Sequence, residues 1–250
     1  EFKNWAAARI TEPQLPIYAA LVNEDVAAVV FAKVLPDKPA FAGVAEEKEL
    51  LPGIDAPAAL ARVAPVLVRA LLAEINGDGR VLMAMNGGIY DKAYAPLGLY
   101  IEKGQQKVAV NRASGGGNFF IRPGGVFYLQ GERARIVSID KFKPTPGIDY
   151  AVQSGPMLIE NGTINWRLKP SAGSRKLRNG VGITRQGQVI FMLSDRETNF
   201  YDFACYAQSK LNVRQMLYLD GTISKMYRQG GSIPWQYHPF VTMIAVETKQ

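Results

Sequence analysis

From residue 80 onward the chain is written in short apolar runs, each cut off within a few residues by glycine, proline, asparagine or aspartate. Runs of that length suit strands and are too short for an ordinary helix. Arg80–Met85, Leu97–Glu102, Gln106–Val110, Asn118–Arg122, Gly125–Gln130 and Ala134–Ile139 are predicted as strands. Tyr150–Gln153, Pro156–Glu160, Thr163–Trp166, Val181–Arg185, Val189–Ser194, Met216–Leu219 and Val241–Glu247 continue the pattern. Asn161-Gly162 signals a type I′ hairpin turn, and Gln186-Gly187 marks a second hairpin. The exception is a helix ending at Leu211, with Thr198 as N-cap and an apolar stripe of Phe200, Phe203, Ala204, Ala207 and Leu211.

Ahead of residue 80, Ile17–Val22 and Val26–Val34 flank Asn23-Glu24-Asp25 and read as a hairpin. Residues 36–56 read as a long connection, and 57–75 as helical, kinked or divided at Pro65. The expected fold class is α+β: a single domain with a β-rich mixed sheet core and a few flanking helices. Residues 1–79 are expected to pack as N-terminal strands and helices on a core formed by 80–250.

Composition narrows the chemistry. Of 250 residues, 48% are hydrophobic and 20% charged, as in ordinary globular domains. The most apolar stretch, Ala56–Ile75, is broken by Pro57, Arg62, Pro65, Arg69 and Glu74, so no transmembrane segment is expected. The net charge of +7 suits a polyanionic or phosphorylated partner, but the cations are scattered apart from Arg167, Lys169, Arg175, Lys176 and Arg178. No nucleic-acid motif accompanies them, so no nucleic acid is expected as partner. Cys205 is the only cysteine and is expected to be a small buried residue; His238, between Tyr237 and Pro239, is the only histidine and is read in a loop. An internal disulfide, a cysteine metal cluster and a His-rich zinc site are thereby excluded, and a Ser–His pair would have to use His238. Neither a cofactor nor a metal is required. The first residue is Glu and no signal peptide stands there, which is expected of a processed form.

Four polar loops could carry chemistry. Asn86-Gly87-Gly88 follows an apolar run, where small residues allow backbone N–H groups to face an anion; a tight turn is the plainer reading. Ser114-Gly115-Gly116-Gly117-Asn118 is a further donor-rich loop, equally good as a hinge. Ser174-Arg175-Lys176-Leu177-Arg178-Asn179-Gly180 sets cations at the entrance to a strand, suited to phosphate oxygens or simply to solvent. Leu217-Tyr218-Leu219-Asp220-Gly221-Thr222-Ile223-Ser224 sets a carboxylate at the end of an apolar strand, followed by Gly, which fits either a catalytic acid or base or an Asp-Gly turn.

Taken together in order, these segments resemble the phosphodiester glycosidase family, and in particular its bacterial envelope branch. The likeness is carried by Met85–Asp91, Pro96–Glu102, Gly117–Phe120, Gln153–Leu158, Arg178–Gly182, Asn199–Ala204 and Leu217–Ser224, and its spacing holds over residues 80–247. The family's animal enzyme is richer in glycine opposite Gly221–Ser224, where this chain has Thr222 and Ile223, and its cysteine-rich extensions are absent.

The resemblance implies a hydrolase that cleaves the glycosidic bond of a sugar-1-phosphodiester. Such cleavage passes through an oxocarbenium-like state while negative charge builds on the departing phosphate. Arg178, Arg175 and the amides of Gly87 and Gly88 are then expected to hold the phosphate, with Asn86 orienting an oxygen of phosphate or sugar. Asp220 is the expected base or nucleophile, with Ser224 holding it or the sugar, and Asp91 or Glu197 as the second carboxylate. Asn118, Ser154, Gly155, Asn179 and Gly221 complete the expected binding surface.

The alternative is a non-catalytic module that binds an anionic envelope glycan or sugar phosphate; a hydrolase of a phosphate-free glycosidic bond is a third possibility. Relatives of this branch are exported, so a periplasmic or secreted location is expected. Asn161-Gly162-Thr163 matches an N-glycosylation sequon but is read as the hairpin turn.

Overall fold

Strict alternation along the apolar strands gives each sheet two faces to bury, and the protein folds so that both are covered. In the computed structural model of this chain, residues 17–22, 26–33, 81–131, 133–229 and 241–248 are described. Fifteen strands are formed by these residues. They are β1 (Ile17–Val22), β2 (Val26–Lys33), β3 (Val81–Asn86), β4 (Tyr100–Glu102), β5 (Gln105–Val108), β6 (Gly125–Gln130), β7 (Arg133–Ser138) and β8 (Tyr150–Ser154). There follow β9 (Met157–Glu160), β10 (Thr163–Ile164), β11 (Asn179–Thr184), β12 (Val189–Ser194), β13 (Val213–Tyr218), β14 (Met226–Arg228) and β15 (Thr242–Thr248). One α-helix, α1 (Phe200–Leu211), lies between β12 and β13.

Three sheets result: six strands in the order β1-β12-β11-β13-β9-β10, four in the order β14-β3-β15-β2, and five in the order β5-β4-β8-β6-β7. Their inward faces meet in one core. Met83 and Met85 of β3, Phe127 of β6, Val152 of β8, Val181 of β11, Phe191 of β12 and Leu217 of β13 are all buried there. Phe127 and Phe191, from different sheets, meet edge to face with centroids 6.1 Å apart. The residues between them on each strand face outward into further packing. Ile190, Met192, Met216 and Tyr218 are covered by Phe203, Ala204 and Ala207 of α1. Val126, Tyr128 and Ala151 pack with Ile139, Phe142 and Ile148 on the far side of the five-stranded sheet.

The β-rich, single-domain expectation is realised with little helix, and two of its details are corrected. Among the described residues every strand pair is antiparallel and three sheets are formed, so the core is not one mixed sheet. Nor do β1 and β2 form a hairpin: β1 pairs with β12 and β2 with β15, in different sheets. The reason is pairing. Each of these strands gains a six- or seven-residue register with a distant partner in a larger sheet, whereas an isolated two-stranded ribbon is marginal by itself.

Local signals fared better. At the β9–β10 turn Asn161 and Gly162 both have positive φ, 51° and 78°, as a type I′ turn demands. The β11–β12 hairpin turns at Gly187 with φ 85°. Helix α1 ends at Leu211 as expected, but its N-cap is Asn199, whose side chain accepts from the Asp202 N–H. Thr198 is held instead in a backbone bridge with Lys176. Asn118–Phe120 is a 3-10 turn and no strand, closed by Ile121 N–H donating to Asn118 O at 3.2 Å. Cys205 is only half-buried, on the flank of α1 away from its apolar stripe. The helix read in 57–75, the connection 36–56 and His238 lie outside the described residues.

Phe191 is fully buried where the sheets meet. Phe191→Ala should cost about 3–5 kcal/mol, read as a lowered denaturant midpoint at unchanged slope.

Candidate active site

Strand alternation sends β3, β11 and β13 to the same end of the core, and three of the sequence-selected loops leave from there. The junction is Asn86, the last residue of β3, which is fully buried. Its Nδ2 donates to the Asp220 carbonyl at 2.9 Å. Its Oδ1 accepts from Asn179 Nδ2 at 2.8 Å and from the Lys225 N–H at 3.0 Å. One carboxamide therefore fastens the ends of β3 and β11 to the loop after β13.

Asp220, half-exposed, is carried by that loop. Ser224 closes it: its hydroxyl donates toward the Asp220 carbonyl at 3.3 Å and the Leu177 carbonyl at 3.5 Å. Ser224 thus holds Asp220 through the main chain. Gly221 is obligatory by close approach, because a Cβ there would occupy the position of Tyr218 Oη.

Arg178 lies beside this loop, 1% exposed. Its Nε donates to Thr198 O at 3.1 Å, Nη1 to Tyr218 Oη at 3.3 Å, and Nη2 to Ser174 O at 2.8 Å. Its guanidinium lies over the Phe200 ring, 4.0 Å from the centroid. No carboxylate pairs with it among the described residues, so its charge is balanced by carbonyls, the phenol and aromatic faces. Tyr218 is the link from Arg178 to the Asp220 loop. Burial pushes its phenol upward, Arg178 and the Gly221 amide pull it down, and Asp220 pushes it up again.

Tyr90 approaches Asp220 from the loop after β3. Burial, followed by the Asp220 charge and Tyr94, raises its phenol from 10.0 to about 12. Tyr94 stacks on it at 5.8 Å.

The Gly87-Gly88 segment is hemmed in on both sides. Gly87 N–H donates to Thr242 O at 2.8 Å, so that amide is already engaged and is not a free anion donor. A Cβ on Gly88 would come within 2.8 Å of Gln153 O and of Val152 on β8, which brings Ser154 alongside. Three deeply buried polar atoms border the segment with no partner among the described residues: Asn179 Oδ1, Ser154 Oγ and Thr242 Oγ1. Orphaned polar atoms at this depth are costly and mark a place where a polar ligand or water is accommodated. Gly155 packs directly on the Asn118–Phe119 turn, which sets exposed Asn118 at the same margin.

The structure thus gathers Asn86, Gly87, Gly88, Asn179, Arg178, Asp220, Gly221 and Ser224, with Ser154, Gly155 and Asn118 beside them. It turns others to different tasks. Arg175 is exposed, donating to the Glu197 carbonyl at 3.4 Å and lying 3.9 Å from Asp202. Glu197 is exposed as well. Asp91 Oδ1 accepts from the Ala93 and Ala95 amides and so braces its own turn. Among the described residues no cluster of His, Cys, Asp and Glu could hold a metal. Sequence reasoning missed Tyr90, Tyr218 and Thr242. Tyr218 was legible, since it ends its strand two residues before Asp220.

The phosphodiester glycosidase family profile matches residues 79–246. The uncharacterized protein YigE of Escherichia coli (strain K12) is 67% identical over 182 residues, spanning 73% of this chain and 72% of that protein. Among solved structures, the catalytic domain of zebrafish N-acetylglucosamine-1-phosphodiester alpha-N-acetylglucosaminidase, auto-inhibited by its pro-peptide, aligns with TM-score 0.52 at 16% identity. That alignment covers 96% of this chain and 85% of the zebrafish one. A hypothetical protein from Synechocystis also aligns with TM-score 0.52, at 13% identity, covering 94% of this chain and 59% of its own. These two likenesses speak for the fold.

Asn86→Ala leaves Asn179 Nδ2, the Lys225 amide and the Asp220 carbonyl without their partner. A loss of about 2–4 kcal/mol in unfolding free energy is expected. The difference between alkaline absorbance titrations of the parent and Tyr90→Phe should have its midpoint near pH 12, and Asp220→Asn should lower that midpoint. Because the folded phenol keeps a proton that the unfolded chain releases from 10.0, the Tyr90 contribution to stability is intact below pH 10 and is lost as pH rises through about 12.

Proposed function

Because the chain belongs to the phosphodiester glycosidase family, we propose that it hydrolyses the glycosidic bond of a sugar-1-phosphodiester. The observation that supports this reading most directly is the convergence on Asn86. It sets a half-exposed carboxylate, a buried arginine and three orphaned polar atoms around one loop junction.

In the reaction the bond from the anomeric carbon to the phosphate oxygen breaks, and its electron pair leaves with the phosphate. The carbon is captured either by water, whose proton passes to the Asp220 carboxylate, or by that carboxylate itself ahead of water. Arg178 contributes mainly as a fixed positive field, since most of its donors are engaged; one Nη1 proton is left for a phosphate oxygen. Asn179 Oδ1 and Ser154 Oγ supply hydrogen bonds to sugar hydroxyls, and Asn86 keeps Asp220 in register rather than touching the substrate. Asn118 and the Gly88 amide bound the same surface.

The zebrafish relative is named for N-acetylglucosamine-1-phosphodiester, which makes that ester a reasonable first substrate to assay. No described helix is long and apolar enough to cross a membrane. We place the activity in the periplasm or outside the cell, on an envelope sugar phosphate.

Release of free sugar from a sugar-1-phosphodiester should fall by roughly 10²–10⁴-fold in Asp220→Asn, with substrate affinity largely kept. Parent-level turnover in a folded Asp220→Asn variant would remove the assignment. Binding of sugar phosphate by parent and variant alike, with turnover by neither, would identify a binding module instead.

A further inference from the structure

A groove on the described surface lies elsewhere. It has a volume of about 490 Å³ and lies between the β9–β10 hairpin with its following turn and the flank of α1. Trp166, Tyr201, Lys169, Thr163 and Gln208 are among the residues that line it. None of these has a part in the site around Asp220.

Trp166 is 71% exposed, against 38% for Tyr94, the other large apolar side chain at the described surface. A tryptophan left in water to that extent is unusual unless something stacks on it. Its position is well supported: Asn165, buried beside it, donates through Nδ2 to Met157 O and Arg122 O and accepts from the Arg167 N–H. Arg167 lies over one face of the indole, 4.5 Å from the ring centroid, which leaves the other face available.

The one charged residue among those lining the groove is a cation, Lys169, and Arg167 stands next to it over Trp166. Glu160 is paired with Lys141 at 2.7 Å and Asp202 with Arg175 at 3.9 Å, whereas Arg167 and Lys169 have no acidic partner among the described residues. Aromatic platforms set among hydroxyl and amide groups suit the flat C–H faces and hydroxyls of pyranose rings. Unpaired cations beside them suit carboxylate or phosphate substituents on those rings.

We propose that this groove is a second carbohydrate site that holds an anionic glycan, with Trp166 and Tyr201 as its stacking platform and Lys169 as its charge contact. The groove shares one support with the candidate site. Asn199, the N-cap of α1, donates to Pro170 O on the groove rim at 3.0 Å, and the next residue, Phe200, carries the Arg178 guanidinium. A glycan lying along Trp166 and Tyr201 is therefore anchored by the same helix turn that supports the catalytic arginine. The proposal does not require turnover at Asp220.

The test uses the full chain carrying Asp220→Asn. Its binding is measured to an immobilised panel of uronate- and phosphate-bearing oligosaccharides, with maltohexaose as the neutral control. Saturating glucose 1-phosphate is added to occupy the Asp220 site. Retention of an anionic oligosaccharide under these conditions is expected. It should weaken about tenfold or more in Trp166→Ala. Lys169→Glu should abolish the preference over maltohexaose. Both substitutions are at exposed positions, and an unchanged thermal midpoint verifies folding. The idea is overturned if no anionic oligosaccharide is retained, if glucose 1-phosphate displaces it fully, or if Trp166→Ala binds as well as its parent. Failure of the hydrolysis assay alone leaves this outcome unaffected, so the two readings stand or fall separately.

Discussion

A single side-chain amide holds together the end of this protein where the candidate site lies. Asn86 is bonded through both ends of its carboxamide to β11 and to the loop after β13, across more than ninety residues of sequence in either case. No aliphatic residue could replace it, because its partners are backbone and amide groups buried away from water. Nor could a carboxylate, which offers no donor for the Asp220 carbonyl. The position of Asp220 relative to Arg178 is thus inherited from β3, to which neither residue belongs.

The three-sheet architecture explains how so much polarity is tolerated. Strands with two apolar faces contribute to a shared central core and to a second layer outside it, as Leu217 and Tyr218 do on adjacent positions of β13. Rigid walls on both sides leave the strand ends as the place where polar loops can be held without mobility. Arg178 is an instance: its guanidinium is fixed by Thr198, Ser174, Tyr218 and the Phe200 ring before any ligand arrives. A charge of that kind is preorganised by the fold.

How much of this was legible follows from the range of each signal. Turns and hairpins were read correctly because Asn161-Gly162 and Gln186-Gly187 act within four residues. The β1–β2 segment forms no hairpin because the same local signal competes with distant partners that offer longer registers in larger sheets, and sequence order says nothing of those. The helix cap moved from Thr198 to Asn199 because a backbone bridge to Lys176, invisible in sequence, claims the earlier residue. Asn86, Asn179, Asp220 and Ser224 were singled out from loop chemistry and do come together. Their internal hydrogen bonding was not legible: Gly87 donates to Thr242, and Ser224 grips a carbonyl in place of a carboxylate. Arg175 and Glu197 were drawn in by proximity along the chain to Arg178 and Thr198, yet side-chain direction carries them to the surface.

The contact between Tyr218 and Gly221 reaches beyond this molecule. The phenolic oxygen fills the volume that any side chain at 221 would need, and it is also what receives Arg178 and the Gly221 amide. Position 221 cannot take a side chain while Tyr218 keeps its hydroxyl in this place. A descendant that acquired alanine at 221 would first have to lose the hydroxyl at 218, and with it the tie between guanidinium and acidic loop. Paired replacement at these two positions is therefore a heritable mark by which lineages that abandoned this arrangement can be told from those that kept it.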